Sequence, residues 1–180
     1  KEKAIPVRGN SHLRYEIRGE SFRMVTNMPL TYLCEEQSFR ITEKVYFGLQ
    51  NGVYYCVDIK TGNKLWEFKA TGELLSDSVV DETGVYFGTT GKNFYSLDPE
   101  TGKSNWKLPV NGEIKSAPLI YKDMVYFGSI DGNLNAVSKE KGDISWTFKT
   151  NQKINTMPVA ANGYIYVVSE DKNLYALNAK

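Results

Sequence analysis

The chain has 180 residues, of which 41% are hydrophobic and 24% charged, and its formal net charge is +1. This composition is typical of a globular protein, and the near-zero charge gives no general attraction to nucleic acid or to an acidic membrane. No apolar run exceeds five residues, so the sequence contains no membrane span. We therefore expect a folded domain whose partners are proteins and not nucleic acid.

The first 36 residues differ from the rest of the chain. All five arginines and the single histidine, His12, lie within the first forty residues. Residues 12–18 and 21–27 both alternate in the manner of β-strands. We treat residues 1–36 as a lead segment, and we expect its stretch 21–27 to be a candidate closing strand for the end of the array described next.

An internal repeat of 40 residues fills the remainder, 37–180. The string Val-Tyr-Phe-Gly begins at 45, 85 and 125, a looser copy begins at 165, and the three tryptophans keep the same period. Short β-branched and aromatic strands separated by turn residues predict an all-β fold, a β-propeller built from four-stranded blades. About four blades would form either a small closed ring or part of a larger propeller. The predicted blades are 37–69, 74–109, 114–149 and a partial blade at 154–180.

Two columns of small residues appear when the repeats are aligned. One column reads Cys56, Ser96, Ala136 and Ala176. The other reads Gly48, Gly88, Gly128 and Val168. We expect the first to be a slot where a neighbouring sheet approaches closely, and a tryptophan from an adjacent blade to lie over the second. Cys56 is then a small buried side chain, and a disulfide between Cys34 and Cys56 is the alternative.

A further set of repeated residues predicts how turns form and blades dock. The glycines of this set precede the fourth strand, where a short hairpin needs a positive φ. The aspartates lie four residues earlier and are expected to accept hydrogen bonds from the N–H groups of the turn. The tryptophans are expected to be buried between blades. The predicted docking residues are Trp66, Trp106, Trp146, Gly62, Gly102, Gly142, Asp58 and Asp98.

These columns together resemble the quinoprotein-type (PQQ-like) β-propeller repeat, with its pattern Leu-Asp-x-x-Thr-Gly-x-x-x-Trp. The copies span 57–66, 97–106 and 137–146, and a partial copy spans 171–178. The resemblance implies that the tryptophan docks blade to blade. In the third copy Ser138 and Lys141 replace the Asp and the Thr, so we expect a looser turn there.

The sequence contains no constellation that predicts catalysis or a cofactor. One histidine and two cysteines do not make the usual zinc sites or a histidine-containing triad. The quinone-dependent alcohol dehydrogenases that share this repeat are longer and carry an acidic calcium site under long loops, whereas the hairpins here are tight. We therefore expect a protein that is not an enzyme and that binds no cofactor or metal.

The resemblance implies a protein-interaction scaffold or assembly factor outside the cytoplasm, in the periplasm or at the cell surface. One such relative is the lipoprotein of the outer-membrane assembly machinery. Two alternatives stay open: a sensor ectodomain of a stress-sensor kinase in the endoplasmic reticulum lumen, and a fragment of a PQQ-dependent dehydrogenase. The identity of the protein partner is also open, and a homodimer would be one way to complete a larger ring.

Partner binding is expected in the loops between fourth and first strands and between second and third strands. In these loops the side chains vary from repeat to repeat, in contrast to the columns above. The candidate residues are Asn51, Glu73, Lys92, Glu113, Asp131, Lys153 and Asp171.

Overall fold

A computed structural model describes residues 44–179 and, before them, the backbone of three short strands. These strands are β1 (Ala4–Ile5), β2 (Arg14–Arg18) and β3 (Ser21–Val25). They form one antiparallel sheet in the order β1-β2-β3. The described residues contain strands and turns and no helix, so none of their elements is a helix able to span a membrane.

The stretch 21–27 contains β3, and its expected role as a closing strand stays a prediction. β3 pairs with β2 along its whole length, from Ser21 opposite Arg18 to Val25 opposite Arg14. Only two residues separate these strands, so the hairpin closes a minimal loop.

The other fourteen strands form four successive sheets, one for each blade. The first contains β4 (Lys44–Gly48), β5 (Val53–Asp58) and β6 (Lys64–Lys69). The second contains β7 (Val79–Val80), β8 (Val85–Gly88), β9 (Asn93–Leu97) and β10 (Ser104–Pro109). The third contains β11 (Leu119–Tyr121), β12 (Met124–Gly128), β13 (Asn133–Ser138) and β14 (Ile144–Lys149). The last contains β15 (Val159–Ala161), β16 (Tyr164–Val168) and β17 (Leu174–Asn178).

Each sheet is an antiparallel meander, because every strand pairs with the next one in the chain. In the third blade, for example, Tyr126 of β12 is opposite Ala136 of β13, which is opposite Trp146 of β14. This order and the 40-residue spacing confirm the predicted all-β fold of propeller blades.

The chain divides into two compact units. One comprises Lys1–Tyr46 and Tyr55–Glu67, and the other comprises Phe47–Tyr54 and Phe68–Lys180. In the first unit the ring of Trp66 is buried and lies 5.8 Å from the ring of Tyr46.

The core of the second unit lies between the blades. One buried cluster joins the second and third blades: Tyr86, Phe94, Ile114, Val125, Phe127 and Val137. Another joins the third and last blades: Tyr126, Leu134, Ala136, Ile154, Ile165 and Val167. Each blade therefore completes its core only when its neighbour packs against it.

Candidate functional site

A glycine at the end of the second strand makes room for the following blade. A Cβ atom on Gly88 would lie 2.1 Å from Cγ2 of Ile114, and one on Gly128 would lie 2.1 Å from Cγ2 of Ile154. Both isoleucines belong to the segment that leads into the next blade, and both are fully buried. No side chain larger than hydrogen fits at these two glycines unless the isoleucine moves.

The sequence prediction that a tryptophan covers this glycine column was wrong. The covering side chains are Leu74 over Gly48, and the two isoleucines over Gly88 and Gly128. The backbone fixes these positions, because Ile114 N–H donates to Thr89 O at 3.1 Å and the next contact repeats this bond. The segment that leads into the next blade therefore occupies the space beside the glycine. The tryptophan of the fourth strand packs at a different position, described next.

Trp106 docks on the turn that precedes the fourth strand of the third blade. A Cβ atom on Gly142 in its present place would have Cδ2 of Trp106 only 2.5 Å away. The indole Nε1–H donates to Lys139 O at 2.8 Å, which satisfies its one polar group. Gly142 thus has two roles: its lack of a Cβ atom leaves room for the indole of Trp106, and its φ of +73° closes the hairpin. The sequence showed both columns, but its period did not reveal that they meet between neighbouring blades.

The other predicted docking residues form repeated turns. Asp58 Oδ1 accepts hydrogen bonds from Thr61 N at 2.7 Å, Thr61 Oγ1 at 2.8 Å and Lys60 N at 3.0 Å. The bonds from Thr61 lower the pKa of the Asp58 carboxyl. Asp98 repeats the arrangement with Thr101, and Gly62 and Gly102 have φ angles of 71° and 70°.

The third copy of this turn keeps its backbone and loses side-chain bonds. Gly142 N–H donates to Ser138 O at 2.9 Å, as the equivalent glycines donate to Asp58 and Asp98. The Ser138 hydroxyl accepts only one turn bond, a 3.3 Å bond from Lys141 N. Trp146, in the same copy, packs against the cluster between the third and last blades, with its ring 5.8 Å from that of Tyr126.

A charged pair that the columns did not predict also joins the second and third blades. Lys139 Nζ lies 2.6 Å from Asp81 Oδ2, and both side chains are mostly buried. Burial raises the pKa of Asp81, but the hydrogen bonds from Lys139 and Thr83 outweigh it, so the pKa lies below its usual value. Burial lowers the pKa of Lys139, but the bond to Asp81 outweighs it, so that pKa is raised. The repeat did not predict this pair, because neither charge recurs in it. The residue equivalent to Asp81 in the third blade is Tyr121, and the residue equivalent to Lys139 in the second blade is Pro99.

The seven predicted partner-binding residues lie on one continuous edge of the second unit. Backbone hydrogen bonds link the fourth-to-first loops to the second-to-third loops in alternation: Ala70 N to Gly52 O, Thr90 N to Glu73 O, Val110 N to Lys92 O, Ile130 N to Glu113 O, Thr150 N to Gly132 O, and Glu170 N to Lys153 O. We call this edge the loop rim, residues 49–52, 70–73, 89–92, 110–113, 129–132, 150–153 and 169–172.

Three of these seven side chains serve the turns themselves. Asn51 Oδ1 accepts from Val53 N at 3.0 Å, and Asp131 Oδ2 accepts from Asn133 Nδ2 at 2.8 Å. Asp171 Oδ2 accepts from Tyr175 OH at 2.8 Å. Slight desolvation raises the pKa of Asp171, but the bond from Tyr175 and those from backbone N–H groups outweigh it, and the pKa is lowered.

The other four side chains give the rim a mixed charge. Glu73, Lys92 and Lys153 are exposed, and half-buried Glu113 pairs with Lys115 at 2.8 Å. Lys92 has a φ of +59° in the position where Gly52 and Gly132 have +82° and +84°. Lysine therefore occupies a conformation that favours glycine, and its ammonium group is presented at the rim.

The described residues include one of the two cysteines, Cys56. Cys56 is fully buried, in agreement with its small-residue column. Cys34 lies outside the described residues, so its pairing with Cys56 stays a prediction. In the part of the chain that the structure describes, no group of three or more His, Cys, Asp or Glu side chains could hold a metal ion.

The blades and their contacts define a β-propeller of PQQ-like repeats. The family model described as outer membrane protein assembly factor BamB matches residues 50–180, and the chain belongs to this family. The sequence matches none of the curated proteins.

Three solved structures illustrate the fold. BamB from Moraxella catarrhalis has a TM-score of 0.69 at 21% identity, covering 76% of this chain and 43% of that one. The computationally designed Ika4 protein has a TM-score of 0.70 at 16% identity, covering 81% of this chain and 95% of that one. The quinohemoprotein alcohol dehydrogenase ADHIIG from Pseudomonas putida HK5 has a TM-score of 0.64 at 16% identity, and the match covers 76% of this chain and 31% of that one. The chain thus spans less than half of the natural proteins it matches, and at these identities the likeness shows the fold alone.

Proposed function

We propose that the chain is a non-enzymatic protein-interaction module of a BamB-type assembly factor that acts outside the cytoplasm and binds its partner through the loop rim. Membership of the family supports the assembly role. The observation that carries the choice of surface is the continuous hydrogen-bonded backbone of the rim, on which the side chains differ from blade to blade. A repeated backbone with varied side chains gives a partner one defined way to bind.

Two lysines strengthen the choice of this rim. Lys92 and Lys172 take the left-handed conformation that glycine takes in the other two repeats, with φ angles of 59° and 71°. Such a conformation costs about 1 kcal/mol or more for a residue with a side chain. Lys122 has the same conformation away from the rim, so we base the inference on charge and position: the exposed ammonium groups of Lys92 and Lys172 at the rim would bind acidic groups of a partner.

The test is site-specific photo-crosslinking in the native cell, with the crosslinking residue placed at Glu73, Lys92 or Lys172. The matched control is Lys122, an exposed lysine with a φ of +57° at the other end of the second strand. We expect the three rim positions to capture the same protein of the outer-membrane assembly machinery and Lys122 not to. Equal capture from Lys122, or no protein product from the rim, would overturn the choice of surface.

A second variant separates binding from stability. Lys92→Gly should relieve backbone strain, so we expect an unchanged or higher melting temperature together with weaker capture of the partner. Loss of capture with a lowered melting temperature would instead mean that Lys92 has only a structural role. Recovery of the protein with the cytoplasmic fraction of the cell would contradict the proposed location.

The enzyme alternative is tested by titrating the protein with PQQ and calcium. We expect no bound chromophore after gel filtration, since the likeness to the quinohemoprotein dehydrogenase is one of fold at 16% identity. A stoichiometric chromophore would overturn the non-enzymatic proposal. The sensor-ectodomain alternative stays a prediction from the sequence.

A further inference from the structure

Three Asn-Gly pairs lie in loops and turns of the chain: Asn51-Gly52, Asn111-Gly112 and Asn162-Gly163. Asparagine is a chemically labile residue, and a following glycine favours loss of its amide because no side chain shields the glycine nitrogen. All three asparagines are exposed to solvent. The sequence makes the pairs equivalent, so a difference in their reactivity has to come from the fold.

The reaction depends on the glycine nitrogen. This nitrogen loses its proton to a solvent base and attacks Cγ of the asparagine. A C–N bond forms, the bond from Cγ to Nδ2 breaks, and the amide leaves as ammonia after taking a proton from water. Water then opens the resulting succinimide at either carbonyl and gives aspartate or isoaspartate. The reaction is opposed by a hydrogen bond from the glycine N–H and by a backbone that turns this nitrogen away from Cβ.

The fold restrains two of the pairs. Gly52 N–H donates to Leu49 O at 2.9 Å, which opposes loss of its proton. Asn51 Oδ1 accepts from Val53 N at 3.0 Å, which holds the amide in the turn. Asn162 has a φ of +52°, in the left-handed region. There ψ is about +30 to +60°, which places the next nitrogen nearly opposite Cβ across the Cα–C bond, whereas ring closure needs both on the same side.

The pair Asn111-Gly112 has neither restraint. Among the described residues, no hydrogen bond engages the side chain of Asn111 or the N–H of Gly112. Asn111 also has a negative φ, in contrast to Asn162. The pair lies in the loop 110–113 of the loop rim, so this rim contains the least restrained of the three pairs.

The equivalent loops of the neighbouring blades each lack one part of the pair. They contain Thr71-Gly72 and Asn151-Gln152 in the same positions. Asn151 is exposed like Asn111 and is followed by a residue with a side chain. The repeat therefore supplies a matched comparison within one chain, in which the loop position is kept and the glycine is exchanged.

We propose that Asn111 is a site of spontaneous deamidation that makes the loop rim more acidic between the second and third blades. Both hydrolysis products carry a carboxylate in place of a neutral amide, and isoaspartate also lengthens the main chain. The new charge forms close to an existing one, since a Cβ atom on Gly112 would lie 2.6 Å from Asp131 Oδ1. Added negative charge opposes the binding of acidic groups. This consequence for binding rests on the proposed function, whereas the deamidation itself does not.

Peptide mapping by mass spectrometry tests the site. The folded wild-type protein is aged in mildly alkaline buffer, and a second sample is aged in urea. In the folded sample we expect aspartate and isoaspartate to accumulate several-fold faster at Asn111 than at Asn51, Asn151 or Asn162. In urea, where the fold no longer restrains them, the three Asn-Gly pairs should react at similar rates. Equal rates at these pairs in the folded protein, or no reaction at Asn111, would overturn the proposal.

Two variants exchange the parts of the pair. Gln152→Gly places an Asn-Gly pair in the equivalent loop of the next blade, so we expect deamidation of Asn151 to become several-fold faster. Asn51 in the same sample should stay unreacted, which shows that the fold has not opened. Asn111→Gln should remove the main product of the aged protein. No acceleration at Asn151 in Gln152→Gly would contradict the succinimide route.

The effect on the rim is tested with Asn111→Asp, which introduces the carboxylate directly. The crosslinking residue is placed at Glu73, and the control is Asn162→Asp, which adds the same charge in the hairpin between β15 and β16. We expect Asn111→Asp to reduce capture of the partner several-fold and Asn162→Asp to leave it unchanged. Equal capture by both variants would overturn the effect on binding. If the wild type captures no partner while Asn111 deamidates as expected, the proposed function fails and the modification site stands.

Discussion

The third blade and the last blade share the order and register of their first three strands, and the third blade has a fourth strand, β14, that the described residues of the last blade do not contain. Leu134 and Leu174 are the same residue type at the same position, yet the first is fully buried and the second is 66% exposed. At the end of the second strand, Gly128 receives Ile154, whereas Val168 fills its own space. Burial of equivalent side chains in this fold therefore depends on the strands and blades that pack against them, here β14 and the segment that contains Ile154.

This difference indicates where the stability of the array resides. Fully burying one leucine contributes about 1.5–3 kcal/mol, and each interior contact buries several such side chains. A blade whose neighbour is absent loses that contribution while keeping its own hydrogen-bonded meander. Stability is then close to a sum over neighbouring pairs, as in other repeat proteins.

The largest expected effect comes from the tryptophan of an interior contact. Trp106→Ala should lower the free energy of unfolding by about 3–5 kcal/mol, because it removes packing on Gly142 and the bond to Lys139 O. Trp146→Ala should cost less, since its described contacts lie on one cluster and include no indole hydrogen bond. Denaturant titration of both variants measures the difference. Equal losses of unfolding free energy in Trp106→Ala and Trp146→Ala would contradict the expectation that the contact made by Trp106 is the stronger of the two.

The glycine column should show a second large difference. Gly128→Val should cost about 1–3 kcal/mol or more, because the new Cβ would meet Ile154 Cγ2 at 2.1 Å. The converse change in the last blade, Val168→Gly, should cost the isolated chain less. In the double variant Gly128→Val/Ile154→Ala the steric part of the loss should be recovered. If Ile154→Ala worsens the effect of the valine, the clash is not the cause.

The sequence predicted the fold well because the fold is repeated. The 40-residue spacing and the turn residues gave the blades, and the Asp58 and Asp98 turns formed as expected. A period relates equivalent positions and says nothing about which unlike positions touch. The pairing of Trp106 with Gly142 and of Gly88 with Ile114 therefore needed three-dimensional structure.

The features that break the repeat were the hardest to predict. Asp81 and Lys139 are far apart in sequence and have no counterparts in their columns, so no internal alignment pairs them. The same holds for β3, whose strand character was predicted and whose partner was not. The loop rim, in contrast, followed from the order of the strands, because a meander places alternate loops on one edge.

An intermediate effect is expected from the charged pair Lys139–Asp81. Among the described residues this pair lies at the contact between the second and third blades, and the contact between the third and last blades shows no equivalent. Lys139→Met should cost about 1–2 kcal/mol at neutral pH, since it leaves the mostly buried Asp81 without its ion-pair partner. The variant Asp81→Asn keeps the shape and removes the charge. We expect both variants to weaken the second-to-third contact, as measured by urea titration.

The pH dependence of this pair follows from the direction of its pKa shifts. The pKa of Asp81 is lowered in the folded protein, so its contribution is present above the ordinary value of 3.8 and is lost as pH falls through the lowered value. The raised pKa of Lys139 means that its contribution is lost only as pH rises above 10.5. The stability difference between wild type and Asp81→Asn should therefore shrink below pH 3.8. A difference that stays constant into acid would show that charge is not what stabilises the contact.

The smallest expected effect concerns the turn on which Trp106 docks. Ser138 accepts one 3.3 Å bond where Asp98 accepts three of 2.7–3.0 Å. The double variant Ser138→Asp/Lys141→Thr restores the residues of the other turns and should raise the free energy of unfolding by about 0.5 kcal/mol. The gain should disappear in a Trp106→Ala background if the turn stabilises the fold by holding Gly142 under the indole. If the same gain persists without the indole, the turn contributes to its own hairpin alone, and the second-to-third contact owes its strength to Ile114, Trp106 and the charged pair.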